Sequence, residues 1–280
     1  VSREKEFLFS DRDFKKIREL VSQHTGISLS EAKRDMVYSR LARRLRHLGL
    51  SSFKDYCQLL EGDSSDNELG HFTNAVTTNL TAFFRESHHF DFLAGTLLPE
   101  LLRLKADEKR LRIWSAGCST GEEPYSIAIT LLENLPKHNS GWDVKILATD
   151  LDTNVLDTAR RGVYDEERLK NIDSRRQRRW FKRGRGDNAG LLQVKPELKA
   201  LMTFKQLNLM QDWPMKGPFD LIFCRNVIIY FDKPTQNVLM ERYADLMANH
   251  GRLFLGHSET LYRVTERFKL MGQTIYKKTA

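Results

Sequence analysis

Three cysteines are all that the 280 residues contain: Cys57, Cys118 and Cys224. They stand too far apart for any metal-ligand spacing, and an odd number of separated thiols speaks against a disulfide scaffold and suits a reducing compartment. No apolar run approaches the roughly 20 residues that a membrane-spanning helix needs. Val1 to Phe9 mixes charge into a stretch that a secretion signal keeps apolar. A cytoplasmic protein without membrane insertion is expected. Internal repeats and low-complexity tracts are also missing, and no glycine-rich loop is followed by the lysine of a phosphate-binding P-loop.

What is present is enough apolar sequence, 40% of 280 residues, for one good core plus a smaller second one, so one or two domains are expected. The net charge of +8 fits two kinds of partner, a nucleic acid or an acidic protein. Its placement is uneven. Lys33, Arg34, Arg40, Arg43, Arg44 and Arg46 face only Asp35 within one segment, and seven basic residues run from Arg175 to Arg185 without an acid.

The first third reads as helices. Ser10 is placed to cap a helix over 11–24 that Gly26 ends, and Ser30 with Glu31 opens a second. There Met36, Val37, Leu41, Leu45 and Leu48 recur at helical steps, so the stripe packs inward and the arginines face out. Gly49 stops it. A third helix over 52–60 precedes a polar stretch over 61–68 that reads as a loop. After Leu104 short β-rich runs alternate with amphipathic helices, the pattern of a parallel sheet. Strands are expected at 111–115, 144–149, 202–207, 219–224, 252–255 and 274–277, with an antiparallel hairpin, 180–183 and 191–195, inserted.

The chemistry concentrates at Ile113-Trp-Ser-Ala-Gly-Cys-Ser-Thr-Gly-Glu-Glu-Pro-Tyr-Ser126. A strand enters a glycine turn, small residues at Ala116, Gly117 and Gly121 let backbone approach a ligand, and the turn falls at the carboxyl edge where open α/β sheets bind cofactors. Glu122 and Glu123 would repel a pyrophosphate and welcome a cation. A sulfonium cofactor with an α-ammonium and no phosphate, S-adenosylmethionine, suits such a loop. Asp150 ends the next strand, where a carboxylate can accept both ribose hydroxyls. On spacing alone a second, less favoured reading makes Glu123 an ordinary helix-capping acid and Asp150 a turn residue. Asn208 after one strand and Arg225, Asn226 and Tyr230 after another add polar groups to the same edge.

Five motifs together, Lys33–Tyr38, Thr77–Glu86, Ser119–Ser126, Phe223–Phe231 and Gly256–Glu259, resemble the CheR family of chemotaxis receptor glutamate methyltransferases over nearly the whole chain. The resemblance implies an α/β fold: a Rossmann-like S-adenosylmethionine methyltransferase domain with an inserted small antiparallel β-subdomain, preceded by an all-α N-terminal domain. The expected boundaries are 1–76 for the helical domain, 77–90 for a linker and 91–280 for the catalytic domain, with the β-subdomain at 177–203. Carried over by position, it puts Asn79, Thr81 and Arg85 of the linker against the cofactor, beside Ala116 and Gly117. Glu123 holds its amino end, Asp150 its ribose, and Asn208 with Leu209 its adenine side, while Arg225 and Asn226 complete the pocket. Arg85 and Tyr230 are the expected catalytic pair.

A glutamate carboxylate, with a reference pKa near 4.3, is already an anion at pH 7, so methyl transfer to it requires no base. Arg85 fits as a guanidinium clamp, and truncation of Lys105, outside the motifs, serves as the comparison. His88, His89 and His257 read as packing or solvent residues, and no metal is expected. The product is S-adenosylhomocysteine. The implied partners are methyl-accepting chemotaxis receptors. Their acidic methylation helices would dock on Arg40, Arg43, Arg44 and Arg46, and in some members a C-terminal tail peptide adds to the β-subdomain at Phe181, Arg183 and Gly184. A monomer is expected. Two rivals stay open: a methyltransferase acting on an amine, and a basic nucleic-acid module, which would need aromatics such as Tyr38, Trp180 and Phe181 free for stacking.

Overall fold

The computed structural model describes residues 6–62, 66–136 and 141–279. Its first unit is helical. Helix α1 (Asp11–Thr25) starts at Ser10, whose side chain accepts from the Asp13 amide while Asp13 reaches back to Ser10, and it ends at Gly26 with φ 73°. A short 3-10 turn leads into α2 (Arg34–Leu48), closed by Gly49 at φ 67°. Helices α3 (Phe53–Glu61) and α4 (Asp66–Val76) complete the unit, so residues 61 and 66–68 of the polar stretch read as a loop are helical, and residues 63–65 lie outside the described ones. Phe14, Ile17, Val37, Leu41, Leu45, Phe53 and Tyr56 form its core, while Met36 and Leu48 of the expected stripe sit at its margin.

Residues 77–87 then cross to the second unit, which opens with α5 (His88–Phe92), a π-turn and α6 (Leu98–Leu104). From there β1 (Arg110–Ala116), α7 (Glu122–Asn134), β2 (Asp143–Asp150) and α8 (Thr153–Arg161) make the first crossovers. The chain continues through β3 (Val163–Asp165), α9 (Ser174–Trp180), β4 (Phe181–Arg183), β5 (Leu191–Val194), α10 (Pro196–Lys199) and β6 (Met202–Gln206). It closes with β7 (Phe219–Cys224), α11 (Lys233–Leu246), β8 (Met247–Leu255), β9 (Phe268–Gly272) and β10 (Ile275–Lys278). The main sheet has the order β6-β2-β1-β7-β8-β10-β9. Its first five strands are parallel, and β10 runs antiparallel to both neighbours. Every residue of β7 is buried, as a strand covered on both faces requires. The order reverses about β1, with β2 on one side and β7 on the other, and this opens a crevice at the carboxyl ends of the three strands.

The small sheet has three strands, in the order β3-β5-β4, all antiparallel. Its first strand, Val163–Asp165, lies upstream of the expected 177–203 segment, and Met202 at the end of that segment belongs to the main sheet against Ile146. Three residues are too few to carry a readable alternation, which is why β3 escaped notice. Strand β9 went unexpected too, and β8 begins five residues before the expected Arg252.

Lys105 is not a neutral comparison. It is buried, with Nζ 2.7 Å from Asp220 Oδ1. His250 Nε2 lies 2.7 Å from the same oxygen, and the Arg112 amide donates to Oδ2 at 2.7 Å. Burial alone would raise the Asp220 pKa, but His250 and Lys105 outweigh it and the net direction is down. Truncating Lys105 would take the buried carboxylate's lysine partner away and leave it to His250 and the Arg112 amide.

Candidate functional site

The turn after β1 is built for close approach. Gly117 has φ 94°, and a Cβ there would stand 2.4 Å from Val227 Cγ2. Gly121, at φ 99°, opens α7 where a Cβ would stand 2.8 Å from the Tyr164 hydroxyl. The amides of Gly117 and Cys118 both donate to the Thr149 carbonyl. This ties the turn to the end of β2. The two acids that follow part company: Glu122 pairs with Arg168 outside the crevice, and Glu123 faces into it. Burial pushes the Glu123 carboxyl up, against the pull of Arg225 and of the Ser115 hydroxyl that donates to it at 2.7 Å.

At the end of β2, Asp150 accepts the Ser119 amide at 2.8 Å and the Asp152 amide at 3.0 Å. Burial raises its pKa to about 6 despite those donors. Two residues further, buried Asp152 accepts Asn79 Nδ2 at 2.7 Å and the Thr77 hydroxyl at 2.9 Å, while capping α8. The Ser119 hydroxyl donates to the Asn79 carbonyl at 3.0 Å. The linker is thereby laid across the glycine turn.

On the other side, Arg225 bridges two acids. Its Nη1 lies 3.1 Å from Glu123 Oε2 and its Nη2 3.2 Å from Glu86 Oε2, and Nη2 also donates to the Arg85 carbonyl. For Glu86, burial raises the pKa but Arg225 and the His257 amide prevail, and the net direction is down. Asn226 adopts φ 60°, held by buried Glu259, which accepts the amides of Gly256 (2.6 Å), Asn226 (2.8 Å), Val227 (2.9 Å) and Ile229 (3.3 Å). Glu259 fixes the loop that presents Arg225 to Tyr230.

One pocket collects Asn79, Thr81, Arg85, Gly117, Glu123, Asp150, Asn208, Leu209, Arg225, Asn226 and Tyr230, every expected cofactor or catalytic residue except Ala116, which lies buried in β1 beneath it. Asn208 is less free than expected. Its Nδ2 donates to the His24 carbonyl at 2.7 Å and its Oδ1 accepts the Met210 amide, so both ends of the amide are engaged. Sequence reasoning missed Asp152 and undervalued Glu86 and Glu259. Asp152 had a signal in the Asp-Leu-Asp spacing after a strand, and Glu259 closes the Gly256–Glu259 motif with no role of its own expected.

The expected docking face is partly consumed. Arg40 donates to the carbonyls of Ala75 and Thr77 at the end of α4, and Arg44 is held by Glu68, which also binds the Tyr56 hydroxyl. Only Arg43 and Arg46 stay exposed, and Arg46 pairs with Glu6 at 3.0 Å. The physical reason is helical geometry: positions 40 and 44 flank the apolar stripe, and their long side chains reach α4. In the small sheet Phe181 is buried against Phe83, Arg183 is exposed beside Glu166, and Gly184 makes a turn where a Cβ would stand 2.0 Å from the Asn188 carbonyl oxygen. Phe181 therefore has only its backbone to offer a peptide. Trp180 is buried as well, and Tyr38 packs on Phe9 and Phe53, which removes the stacking aromatics that the nucleic-acid reading required. Glu86, His88 and His89 form a cluster close enough to hold an ion, but the guanidinium of Arg225 on Glu86 opposes a cation there.

Residues 79–277 match the model of the CheR methyltransferase SAM-binding domain, and residues 12–77 match that of the CheR methyltransferase all-alpha domain. The chain belongs to the CheR methyltransferase family. It is 50% identical over 272 residues to chemotaxis protein methyltransferase 2 of Pseudomonas aeruginosa, covering 97% of this chain and 94% of that protein. The chemotaxis protein methyltransferases of Escherichia coli (48%, covering 95% and 91%) and Borreliella burgdorferi (39%, covering 95% and 94%) are similar too. As a CheR-family enzyme the chain methylates with S-adenosylmethionine in chemotaxis, and the pocket suits that molecule. Gly117 lines it at a point where a side chain would collide with Val227 of the same lining, and the pocket's acids suit an ammonium and a pair of hydroxyls with no anion-binding lysine loop. No helix among the described residues is long and apolar enough to cross a membrane.

Proposed function

We propose that this enzyme esterifies glutamate side chains of chemotaxis receptors, with S-adenosylhomocysteine as the other product. The observation that carries this reading is Arg85: it lines the pocket beside Tyr230 and donates to the Leu80 carbonyl at 2.9 Å, and no carboxylate among the described residues pairs with it. An uncompensated guanidinium at the mouth calls for an anion from outside. S-adenosylmethionine supplies a methyl on a positively charged sulfur, and its transfer to a carboxylate oxygen neutralises both charges with no proton to move. The task left to the chain is alignment, which contributes up to roughly 7–11 kcal/mol to lowering a barrier. Arg85 holds the carboxylate, Tyr230 walls it, Glu123 takes the amino end of the donor, Asp150 the ribose, and Asn208 with Leu209 flank the adenine. Asn79 and Thr81 close the linker side, and Arg225 with Asn226 holds the far wall. An amine acceptor would need a base, whereas Glu123 and Asp150 are both occupied. Wild-type enzyme, labelled donor and receptor should give methanol on mild alkaline treatment; an alkali-stable product would defeat the ester reading.

The same reading makes the linker 77–90 part of the cofactor site, and the enzyme a cytoplasmic monomer. Acidic methylation helices would meet Arg43 and Arg46. Strand β4 is an edge of the small sheet, which supports addition of a receptor tail as a further strand.

Asp150 supplies a pH test. With its pKa raised to about 6, the acid is an anion at pH 7.5 and largely protonated at pH 5. The anion accepts both hydroxyls, so S-adenosylhomocysteine should bind more weakly at pH 5 and release a proton on binding near pH 6. Asp150→Ala should cost about 10- to 100-fold in affinity, the worth of hydrogen bonds to a charged group. Calorimetry in two buffers of different ionisation enthalpy reads both, and an affinity indifferent to pH and to the substitution would remove the ribose assignment.

A further inference from the structure

The helical unit does more than abut the crevice. Thr25, Ile27 and Lys33 line the pocket, the Ser28 amide donates to the Tyr230 carbonyl at 2.8 Å, and Asn208 holds the carbonyl of His24 at the end of α1. In the sequence Lys33 belongs to the basic segment whose arginines are expected to face out. It turns inward instead, half-buried, with Nζ 4.4 Å from the centre of the Tyr230 ring. Its neighbour Arg34 pairs with Asp11, whereas no acid is among the groups acting on Lys33: burial first and the charge of Arg40 second both push its pKa down. Arg85 acts on the same tyrosine from the linker.

We infer that Lys33 is a second cation for the acceptor carboxylate, delivered by the helical unit to Tyr230 in the pocket that Arg85 also lines, and that the pair distinguishes glutamate from its neutral methyl ester and from glutamine. This rests on the ester reading above and deepens it. A carboxylate entering a half-buried pocket loses water, at a cost one guanidinium only partly offsets. Among the described residues neither cation is paired with an acid, because Glu123 is engaged by Arg225, and an incoming anion supplies the missing partner. Methylation removes the anion's charge, so the ester loses both attractions and leaves. A lysine is suited to that release, because its ammonium is a compact charge on a flexible stem with no bidentate fork to disengage. The arrangement also couples catalysis to domain packing, since the ammonium reaches Tyr230 only with the two units docked.

The test compares wild type, Lys33→Met and Lys33→Arg with a receptor methylation region carrying glutamate as acceptor and its glutamine form as competitive inhibitor. Lys33→Met should raise KM for the glutamate form about tenfold, as loss of one charge-assisted contact does. It should leave the inhibition constant of the glutamine form and the affinity for S-adenosylhomocysteine within twofold. The preference for glutamate over glutamine thus shrinks about tenfold, and Lys33→Arg recovers most of it. An unchanged preference in Lys33→Met overturns the inference, and so does any loss of S-adenosylhomocysteine affinity in step with activity, which would make Lys33 a cofactor contact or a packing residue. Failure of the underlying ester reading shows separately, as wild type giving no alkali-labile product.

Discussion

Arg225→Met is expected to destabilise the enzyme by about 3–5 kcal/mol at pH 8, the cost of removing one partner from a buried ion pair. Among the described residues Arg225 is the one cation paired with both Glu123 and Glu86, and its side chain is 2% exposed. Methionine fills similar volume, so the loss is electrostatic. The pH dependence follows from sign. In the parent, Glu86 is held down by Arg225 against burial, and its contribution is present above the ordinary carboxylate pKa and fades as pH falls through the lowered value. In the variant only the His257 amide and the pull of His89 are left to oppose burial on Glu86, and Glu123, already raised, rises further. Both acids then favour the protonated form, so ionising them costs the variant stability as pH increases. Denaturant unfolding at pH 5 and pH 8 should therefore show a gap between parent and variant that is small at the lower pH and large at the higher. A gap independent of pH would mean that packing over Phe90, and not charge, is what Arg225 provides.

The glycine turn, the acid facing it and the ends of three central strands were legible in the sequence because each is a local feature. Gly117, Glu123 and Asp150 lie within a few residues of a strand that announces itself by its apolar run. Capping made α1 equally legible, since Ser10 and Gly26 are fixed by the orphan amides and carbonyls of the helix between them. The pairings across the chain were not legible. Nothing within the local sequence of Asp152 says that it receives a side chain from residue 79, or that Glu259 gathers four amides from two loops. Charge was the most misleading feature. Arg40 and Arg44 count the same in a net charge whether they face solvent or, as here, hold the carbonyls of Ala75 and Thr77 and the carboxylate of Glu68. Lys105 and Lys33 failed in the same way: a lysine beside polar residues reads as surface, yet one is buried on Asp220 and the other lies across Tyr230. A long side chain decides its environment at its tip, four bonds or more from the backbone on which periodicity acts.

Arg85→Ala is expected to lower kcat by about 10²–10³-fold, the usual consequence of losing a preorganised donor or of an ångström-scale misplacement at the reacting atoms. Affinity for S-adenosylhomocysteine should fall less than tenfold, because the pocket keeps Glu123, Asp150 and Arg225. Arg85 is supported twice: its guanidinium donates to Leu80 and its carbonyl receives Arg225. The linker around it is anchored through Asn79 to Asp152. The guanidinium is thus placed independently of any acceptor. That is what differential stabilisation demands, because a clamp that gripped the carboxylate too tightly in the ground state would blunt its attack. Arg85→Lys keeps the charge but loses the planar fork, so it should recover only part of the rate. The proper comparison is Lys170→Ala, at an exposed lysine that pairs with Glu167, and not Lys105, whose removal takes a partner from a buried carboxylate. Turnover lost no more in Arg85→Ala than in Lys170→Ala would refute the clamp. Affinity and turnover falling together would reassign Arg85 to the donor alone and leave Tyr230 and Lys33 to position the acceptor.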